Sequence, residues 1–214
     1  MYNEVSESLF DLIDDAIERD LLVGGTEFSL GGTSISITSK DGIGKLIEEW
    51  LGIWAVQKGI RITPNRGGQS FPDFYIDEDD GYLEIKAFDL DASANFDIAN
   101  FESYCESLSR HPQRLYADYL ILGYRLIGSS LRVENVWLKK IWQISCGSDR
   151  FPLKVQAKRD VIYNIRPAAW YSARVRYPVF PNADAFVNAL YATQKQYLGL
   201  DSSQEEDRFW SHFD

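Results

Sequence analysis

The sequence predicts an α/β fold in which helices flank a central mixed β-sheet. Segments with apolar residues at helical spacing alternate along the chain with short runs of β-branched and aromatic residues. One such run, ADYLILGYRL, is apolar almost throughout, which is typical of a central strand covered on both faces. The order helix, strands, helix, strand, helix, strands, helix fits a single domain over residues 1–214, with an acidic tail at 201–214 on its periphery.

The first part of the chain predicts two helices and a hairpin. Residues 4–22 and 41–59 carry apolar side chains every three or four positions, with Asp41 as the expected N-cap and Gly59 as the stop of the second helix. Between them, residues 26–37 alternate polar and β-branched or other apolar side chains next to two Gly pairs, which predicts a short strand or a hairpin.

The later elements follow the same two periodicities. FPDFYI and YLEIKAFDL predict two strands joined by an acidic turn at Asp77–Gly81, and therefore a β-hairpin. FDIANFESYCESLSR and NADAFVNALYATQKQYL predict helices, LRVENVWL predicts a strand antiparallel to ADYLILGYRL, and LKKIWQIS predicts the start of a short helix. The layout of residues 152–180 stays open, and the tail beyond residue 200 is expected to be frayed apart from Phe209 and Trp210.

Composition argues against several classes of function. The 214 residues are 45% hydrophobic, enough for a sizeable core, and the absence of a run of about 18 apolar residues argues against a membrane span. The acidic N-terminus lacks the basic and apolar regions of a secretory signal. Cys105 and Cys146 are expected to be buried free thiols of a cytoplasmic protein. His111 and His212 lie far from both cysteines in sequence, so neither a Cys/His zinc site nor a histidine-based hydrolase is expected.

Charge is distributed unevenly along the chain. The net charge is −10, but residues 1–107 carry 7 basic and 22 acidic side chains (−15), whereas residues 108–214 carry 15 basic and 10 acidic side chains (+5). Within residues 110–176 the count is 13 basic against 4 acidic (+9). Two interpretations remain open: ordinary solvated surface charge, or a basic face for a polyanion backbone beside an acidic site.

Three ionisable residues in the predicted hairpin are candidates for chemistry. Side chains alternate faces in LEIKAF, so Glu84 and Lys86 share one face about 7 Å apart. Asp73 lies near the start of the preceding strand, and pairing of the two strands brings it close. Two carboxylates and an ammonium inside apolar strands are costly unless they are paired or bind a metal.

These residue types suit phosphodiester hydrolysis. Asp73 and Glu84 offer the hard oxygen ligands that Mg²⁺ prefers, and the metal would lower the pKa of a bound water. Lys86 would orient or deprotonate the nucleophile and offset the developing charge. The acids of the turn, Asp77–Asp80, are expected to be solvated. Because Glu-x-Lys alone is common, a non-catalytic interaction module with a salt-bridged hairpin remains an alternative.

The quoted segments also resemble a known family. Pro72-Asp73 and Glu84-Ile85-Lys86 match the signature of PD-(D/E)xK nucleases. The segments DGIGKLIEEWLGIW, FPDFYI, LEIKAF, FDIANFESYCESL, ADYLILGY, VWLKKIW and VQAKRDVIYNIRPAAW resemble the NgoBV group of type II restriction endonucleases, between residues 28 and 190.

This resemblance implies a restriction-endonuclease-like core and a homodimeric, Mg²⁺-dependent enzyme. The enzyme would cut both strands of a short, G·C-rich palindrome in double-stranded DNA and work beside a cognate DNA methyltransferase. Asp73, Glu84 and the Ile85 carbonyl would bind Mg²⁺, and Lys86 would assist the attacking water. Glu48 or Glu49 could add a helix carboxylate, although both are expected to face solvent or flank the core. A repair or structure-specific nuclease on the same core remains an alternative.

Five residues are predicted to contact DNA. Arg66 and Gln69 lie in the Gly-rich loop before the motif, where they could reach phosphates or base edges. Lys158, Arg159 and Arg166 lie in the basic, aromatic segment of the second half. For each of them, an ordinary solvated surface side chain is the alternative.

Overall fold

The computed structural model describes residues 1–65, 67, 71–76, 81–201 and 203–213. The chain divides into two compact units, each made of two separated stretches. The first unit comprises Met1–Ser93 and Asp118–Lys139, and the second comprises Ala94–Ala117 and Lys140–Asp214. The single domain expected from the chain length stays a prediction.

The described residues form eleven strands and five α-helices. In chain order they are α1 (Glu4–Glu18), β1 (Val23–Gly25), β2 (Glu27–Leu30), β3 (Thr33–Ser36), α2 (Ile43–Gln57), β4 (Ile62–Pro64), β5 (Phe74–Ile76), β6 (Gly81–Asp89), β7 (Ala99–Asn100), α3 (Phe101–Arg110), β8 (Asp118–Ile127), β9 (Ser130–Lys139), β10 (Val155–Lys158), β11 (Val161–Ile165), α4 (Ala183–Leu198) and α5 (Gln204–Trp210). Short 3₁₀ turns add Pro112–Tyr116 and Ile141–Gln143, the second of which is the short helix predicted for LKKIWQIS.

Six strands of the first unit form one mixed sheet in the order β1-β9-β8-β6-β5-β4. β6 and β8 run parallel, whereas the β1–β9, β8–β9, β5–β6 and β4–β5 pairs are antiparallel. β8 lies between β6 and β9, and its first seven residues are buried. This placement confirms the central strand predicted for ADYLILGYRL, and the hairpins β5–β6 and β8–β9 are confirmed with it.

One hydrophobic core joins α1, α2 and this sheet. α2 contributes Ile43, Ile47, Leu51 and Ala55, a row of side chains four residues apart that are all buried. Burial of each large aliphatic side chain in such a row contributes about 1.5–3 kcal/mol. The row therefore determines which side of α2 packs against the sheet and which sides remain accessible to solvent.

The ends of α2 differ in part from the prediction. The N-cap is Gly42 and not Asp41, because the chain enters the helix through a left-handed residue with a φ of 83° that glycine adopts without strain. At the other end the helix stops at Gln57, and Gly59 again has a positive φ of 80°, as its predicted role as a stop requires.

The second unit contains the three-stranded sheet β10-β11-β7 and helices α3, α4 and α5. α3 and α4 confirm the two helices predicted there. Cys105 and Cys146 are both buried free thiols, as expected. None of the helices in the described ranges is long and apolar enough to cross a membrane.

The expectation of a frayed C-terminal tail is wrong. α5 begins where the Ser203 hydroxyl accepts a hydrogen bond from the Glu206 N–H at 3.3 Å. Phe209 is buried, and its ring packs against the rings of Tyr191, Trp210 and Phe213. These aromatic contacts hold a seven-residue helix that its own hydrogen bonds would not keep folded in water.

Candidate active site

The β5–β6 hairpin brings Asp73, Glu84 and Lys86 together in the first unit. Asp73 directly precedes β5, whose first residue, Phe74, pairs with Leu83, the residue before Glu84. Asp73 Oδ2 accepts a hydrogen bond from the N–H of Ile85 at 2.7 Å. This bond places the first carboxylate beside the strand that carries the second.

Glu84 and Lys86 form an ion pair on β6. Glu84 Oε1 accepts a hydrogen bond from Lys86 Nζ at 2.7 Å, and the two side chains are only 9% and 17% exposed. Leu83 and Ile85, which alternate with them along the strand, belong to the hydrophobic core. Mutual pairing is what makes two charged residues tolerable at such a buried position.

Electrostatic interactions shift two pKa values in this group. Burial, followed by repulsion from the Glu84 carboxylate, raises the pKa of Asp73 from 3.8 to about 7, although the Ile85 N–H and the Lys86 ammonium act in the opposite direction. Burial on its own lowers the pKa of Lys86, but attraction by nearby carboxylates, Glu84 above all, outweighs it, and the net pKa is raised. In the metal-free protein Lys86 is therefore an ammonium at neutral pH.

The carboxylate pair suits a divalent cation. Within the described part of the chain, Glu84 Oε2 is buried and has no hydrogen-bond partner. A buried carboxylate oxygen without a partner costs free energy that coordination would offset. Coordination would equally relieve the repulsion that raises the pKa of Asp73, since two carboxylates and a divalent cation are together neutral. The described residues contain no larger cluster of His, Cys, Asp or Glu that could hold a metal.

One side of α2 adds charged groups near the pair. Lys45 Nζ donates a hydrogen bond to Glu48 Oε1 at 2.5 Å, and this bond raises the pKa of Lys45. Glu48 also adds to the raised pKa of both Asp73 and Lys86. Lys45, Glu48 and Asp73 line one groove of about 600 Å³. Glu48 is partly buried there, whereas Glu49 is exposed, so Glu48 is the helix carboxylate that lies near the pair. Lys45 was not predicted to belong to the site.

Asn65 is a second residue that the sequence did not single out for a structural role. Its backbone N–H donates to the Asp73 carbonyl and its side-chain Nδ2 donates to the Pro72 carbonyl, both at 2.9 Å. Asn65 therefore fastens β4 to the segment that carries Asp73. The predicted DNA contacts Arg66 and Gln69, like the acidic turn Asp77–Asp80, lie outside the described residues.

The other predicted DNA contacts belong to the second unit. Lys158 and Arg159 are exposed at the turn between β10 and β11, where Arg159 has a positive φ of 49°. Arg166 is 23% exposed and forms an ion pair with Asp97. The structure thus brings Asp73, Glu84, Ile85 and Lys86 together, and contact of these basic residues with DNA stays a prediction.

Comparison with known proteins finds type II restriction endonucleases. The family model of the NgoBV restriction endonuclease matches residues 3–212. The type II restriction enzyme NlaIV of Neisseria lactamica is 34% identical over 201 residues, covering 92% of this chain and 83% of the relative. The type II restriction enzyme NgoBV of Neisseria gonorrhoeae is 30% identical over 166 residues, covering 74% of this chain and 93% of the relative.

A solved structure agrees as well. The NlaIV restriction endonuclease superimposes with a TM-score of 0.87 at 33% identity, covering 97% of this chain and 87% of that one. The restriction-endonuclease-like α/β fold implied by the resemblance is therefore confirmed. This chain belongs to the NgoBV family of type II restriction endonucleases, and so to the nucleases that act on double-stranded DNA.

Proposed function

We propose that this chain is a Mg²⁺-dependent restriction endonuclease that hydrolyses both strands of a short, palindromic, G·C-rich site in double-stranded DNA. The observation that carries the proposal is the arrangement on β5 and β6. Asp73 and Glu84 are held beside each other, and within the described residues one oxygen of Glu84 is buried outside any hydrogen bond. A carboxylate oxygen of this kind is the hard ligand atom that Mg²⁺ prefers.

Asp73, Glu84 and the carbonyl oxygen of Ile85 hold Mg²⁺ in this proposal. The metal, when bound, supplies a Lewis acid for the phosphate and a water of lowered pKa. The Ile85 N–H keeps the Asp73 carboxylate in position through its 2.7 Å hydrogen bond, so one peptide strand orients both carboxylates. The 2.7 Å bond from Lys86 to Glu84 Oε1 leaves Oε2 as the oxygen available to the metal.

Lys86 stabilises the negative charge that develops on the scissile phosphate and orients the attacking water. The bond to Glu84 fixes Nζ beside the ligand atoms. A charged donor that is already positioned lowers the barrier without reorganisation during the reaction. In-line attack of water then leaves a 5′-phosphate and a 3′-hydroxyl.

A palindromic target calls for a homodimer, because two-fold symmetry of the protein mirrors two-fold symmetry of the DNA. Arg66, Gln69, Lys158 and Arg159 are the proposed contacts to phosphates and base edges. Arg166 joins them by exchanging its partner Asp97 for a phosphate. The enzyme works in the cytoplasm beside a methyltransferase that protects the same sites.

Plasmid cleavage tests this function. Wild type with Mg²⁺ is expected to give discrete bands that disappear with EDTA, and Lys86→Ala and Asp73→Ala are expected to give none. Asp15→Asn, which alters an exposed carboxylate of α1, is the control and cuts like wild type. A smear, or cleavage only of nicked or branched DNA, would instead support a repair nuclease. Absence of any cleavage by wild type would support an interaction module. Full activity of Lys86→Ala would show that Lys86 does not belong to the active site.

A further inference from the structure

The hairpin of β2 and β3 has one polar and one apolar face. The register pairs Phe28 with Ile35 and Leu30 with Thr33 on one face. On the other face Ser29 pairs with Ser34, whose hydroxyls are 2.5 Å apart. All eight residues of the two strands are exposed, including Phe28 at 51%, Ile35 at 57% and Leu30 at 72%. An amphipathic hairpin with its apolar face in water is unusual, because water disfavours exposed apolar surface.

The base of this hairpin is firmly attached to the first unit. The backbone N–H of Thr26 donates to the Ser129 carbonyl at 2.8 Å, and the Ile37 N–H donates to the Thr26 carbonyl at 2.9 Å. The buried Thr26 hydroxyl donates to the Ile37 carbonyl at 2.6 Å. An isolated two-stranded hairpin is only marginally stable in water. These hydrogen bonds therefore hold the hairpin in place while its apolar face stays exposed.

The apolar face continues into a groove of about 510 Å³ beside α2. Phe28 lines this groove together with Leu21 and Val23 from the chain around β1 and with Leu46 and Trp50 from α2. Leu21, Val23 and Leu46 are themselves exposed. The hairpin–α2 surface is defined here by six exposed apolar side chains, Leu21, Val23, Phe28, Leu30, Ile35 and Leu46.

Charge argues against DNA as the partner of this surface. Residues 23–37 contain no Lys or Arg, and their one charged side chain is that of Glu27. A DNA-binding arm needs basic side chains for the phosphates. The apolar character of the hairpin–α2 surface instead fits a partner protein whose contacting surface is also apolar.

We propose that the hairpin–α2 surface is the interface with a second copy of this chain, the hairpin of each copy packing into the groove of the other. A stable interface buries about 800 Å² per partner, of which about 65% is apolar in homodimers, or roughly 500 Å². These six side chains are each between 45% and 72% exposed, and together they present roughly that area. The area available therefore matches what a stable dimer needs.

The position of this surface also suits the proposed function, on which the inference rests. Leu46 follows Lys45 in α2, so one helix lines both the groove at the active site and the interface. A two-fold axis through this surface would fix the spacing between two active sites through a rigid helix. Paired cleavage of two strands needs such a fixed spacing.

Sedimentation of the full-length protein without DNA tests the inference. Phe28→Glu places a charge on the apolar face, and Ser29→Glu places the same charge on the next residue but on the opposite face. Wild type and Ser29→Glu are expected to sediment as dimers. Phe28→Glu is expected to raise the dimer dissociation constant on the order of 100-fold and to sediment at the monomer mass of 24.5 kDa. Circular dichroism checks that it remains folded.

Leu30→Glu, at the exposed tip, replaces Phe28→Glu if that variant does not fold, and the same shift is expected. Dimerisation of the folded variant at wild-type affinity would overturn the inference, as would a wild type that stays monomeric at 50 µM. Cleavage by wild type decides the proposed function separately. A wild type that cuts both strands while the folded hairpin variant stays dimeric contradicts only the interface. A dimeric wild type that fails to cut contradicts only the function.

Discussion

Asp73→Asn should stabilise the metal-free protein at pH 8. The substitution removes the ionisable group but keeps a side-chain oxygen that can accept the Ile85 N–H, which lies 2.7 Å from the present carboxylate. In the wild type, burial and Glu84 raise the pKa of Asp73 from 3.8 to about 7. At pH 8 the folded wild type therefore carries an ionised carboxylate that is buried and repelled by Glu84, which lowers its stability. The asparagine variant carries no such charge.

The pH dependence follows from the raised pKa. Between about pH 4 and pH 7 the folded state binds more protons than the unfolded state, so the free energy of unfolding of the wild type falls as pH rises. One pKa unit corresponds to about 1.4 kcal/mol, so the full shift sets a ceiling of about 4 kcal/mol. Partial exposure of Asp73 reduces this, and we expect the advantage of the variant to grow by about 2 kcal/mol between pH 5 and pH 8.

Urea unfolding followed by tryptophan fluorescence in EDTA measures this difference. Asp15→Asn is the matched control, since it neutralises an exposed carboxylate paired with Arg19 and should show no such trend. Equal stability of Asp73→Asn and wild type at pH 8 would refute the reasoning, because it would mean that Asp73 is neither desolvated nor repelled by Glu84.

Three further predictions concern the metal, the lysine and the packing behind the site. Millimolar Mg²⁺ at pH 8 should raise the melting temperature of the wild type but not of Asp73→Asn, because in the proposed site only the intact pair binds the ion in the folded state; an equal rise in both proteins would contradict this. Lys86→Met keeps the alkyl chain but leaves Glu84 buried without its cation, and so should lower stability by about 3 kcal/mol in urea unfolding as well as abolish plasmid cleavage. Gly52→Ala should cost about 1–3 kcal/mol in the same assay, because its Cβ would lie 2.8 Å from the Phe74 ring; Gly44→Ala, with open space around it, is the control.

Local patterns carried most of the correct predictions. Alternation along LEIKAF placed Glu84 and Lys86 together, and the continuous apolar run of β8 indicated its central position. The tail was missed although Ser203 and Glu206 have the Ser-x-x-Glu spacing of a helix start, because the burial of Phe209 depends on distant rings. Helix propensity alone could not show that contact.

Glu48 shows the limit of the sequence at the site. It lies three residues before Leu51 and seven before Ala55, on the flank of the buried row of α2, which is a signal that it is not fully solvated. Its approach to Asp73 depends on how α2 packs across β5 and β6, and that packing joins residues distant in sequence. Lys45 lies three residues before Glu48 on the same helix, so their pairing was a local signal that the sequence did carry. The groove that both side chains line exists only in the folded chain.

Single-turnover cleavage by Glu84→Gln tests the central claim most directly. The amide keeps an oxygen for Lys86 and the volume of the side chain, but places an NH₂ group where the proposed site has a metal ligand. A metal contributes several kcal/mol to the transition state, so on a duplex that the wild type cuts we predict a rate on the order of 1000-fold lower at saturating Mg²⁺. A rate within about threefold of wild type would contradict the assignment of Glu84 as a metal ligand.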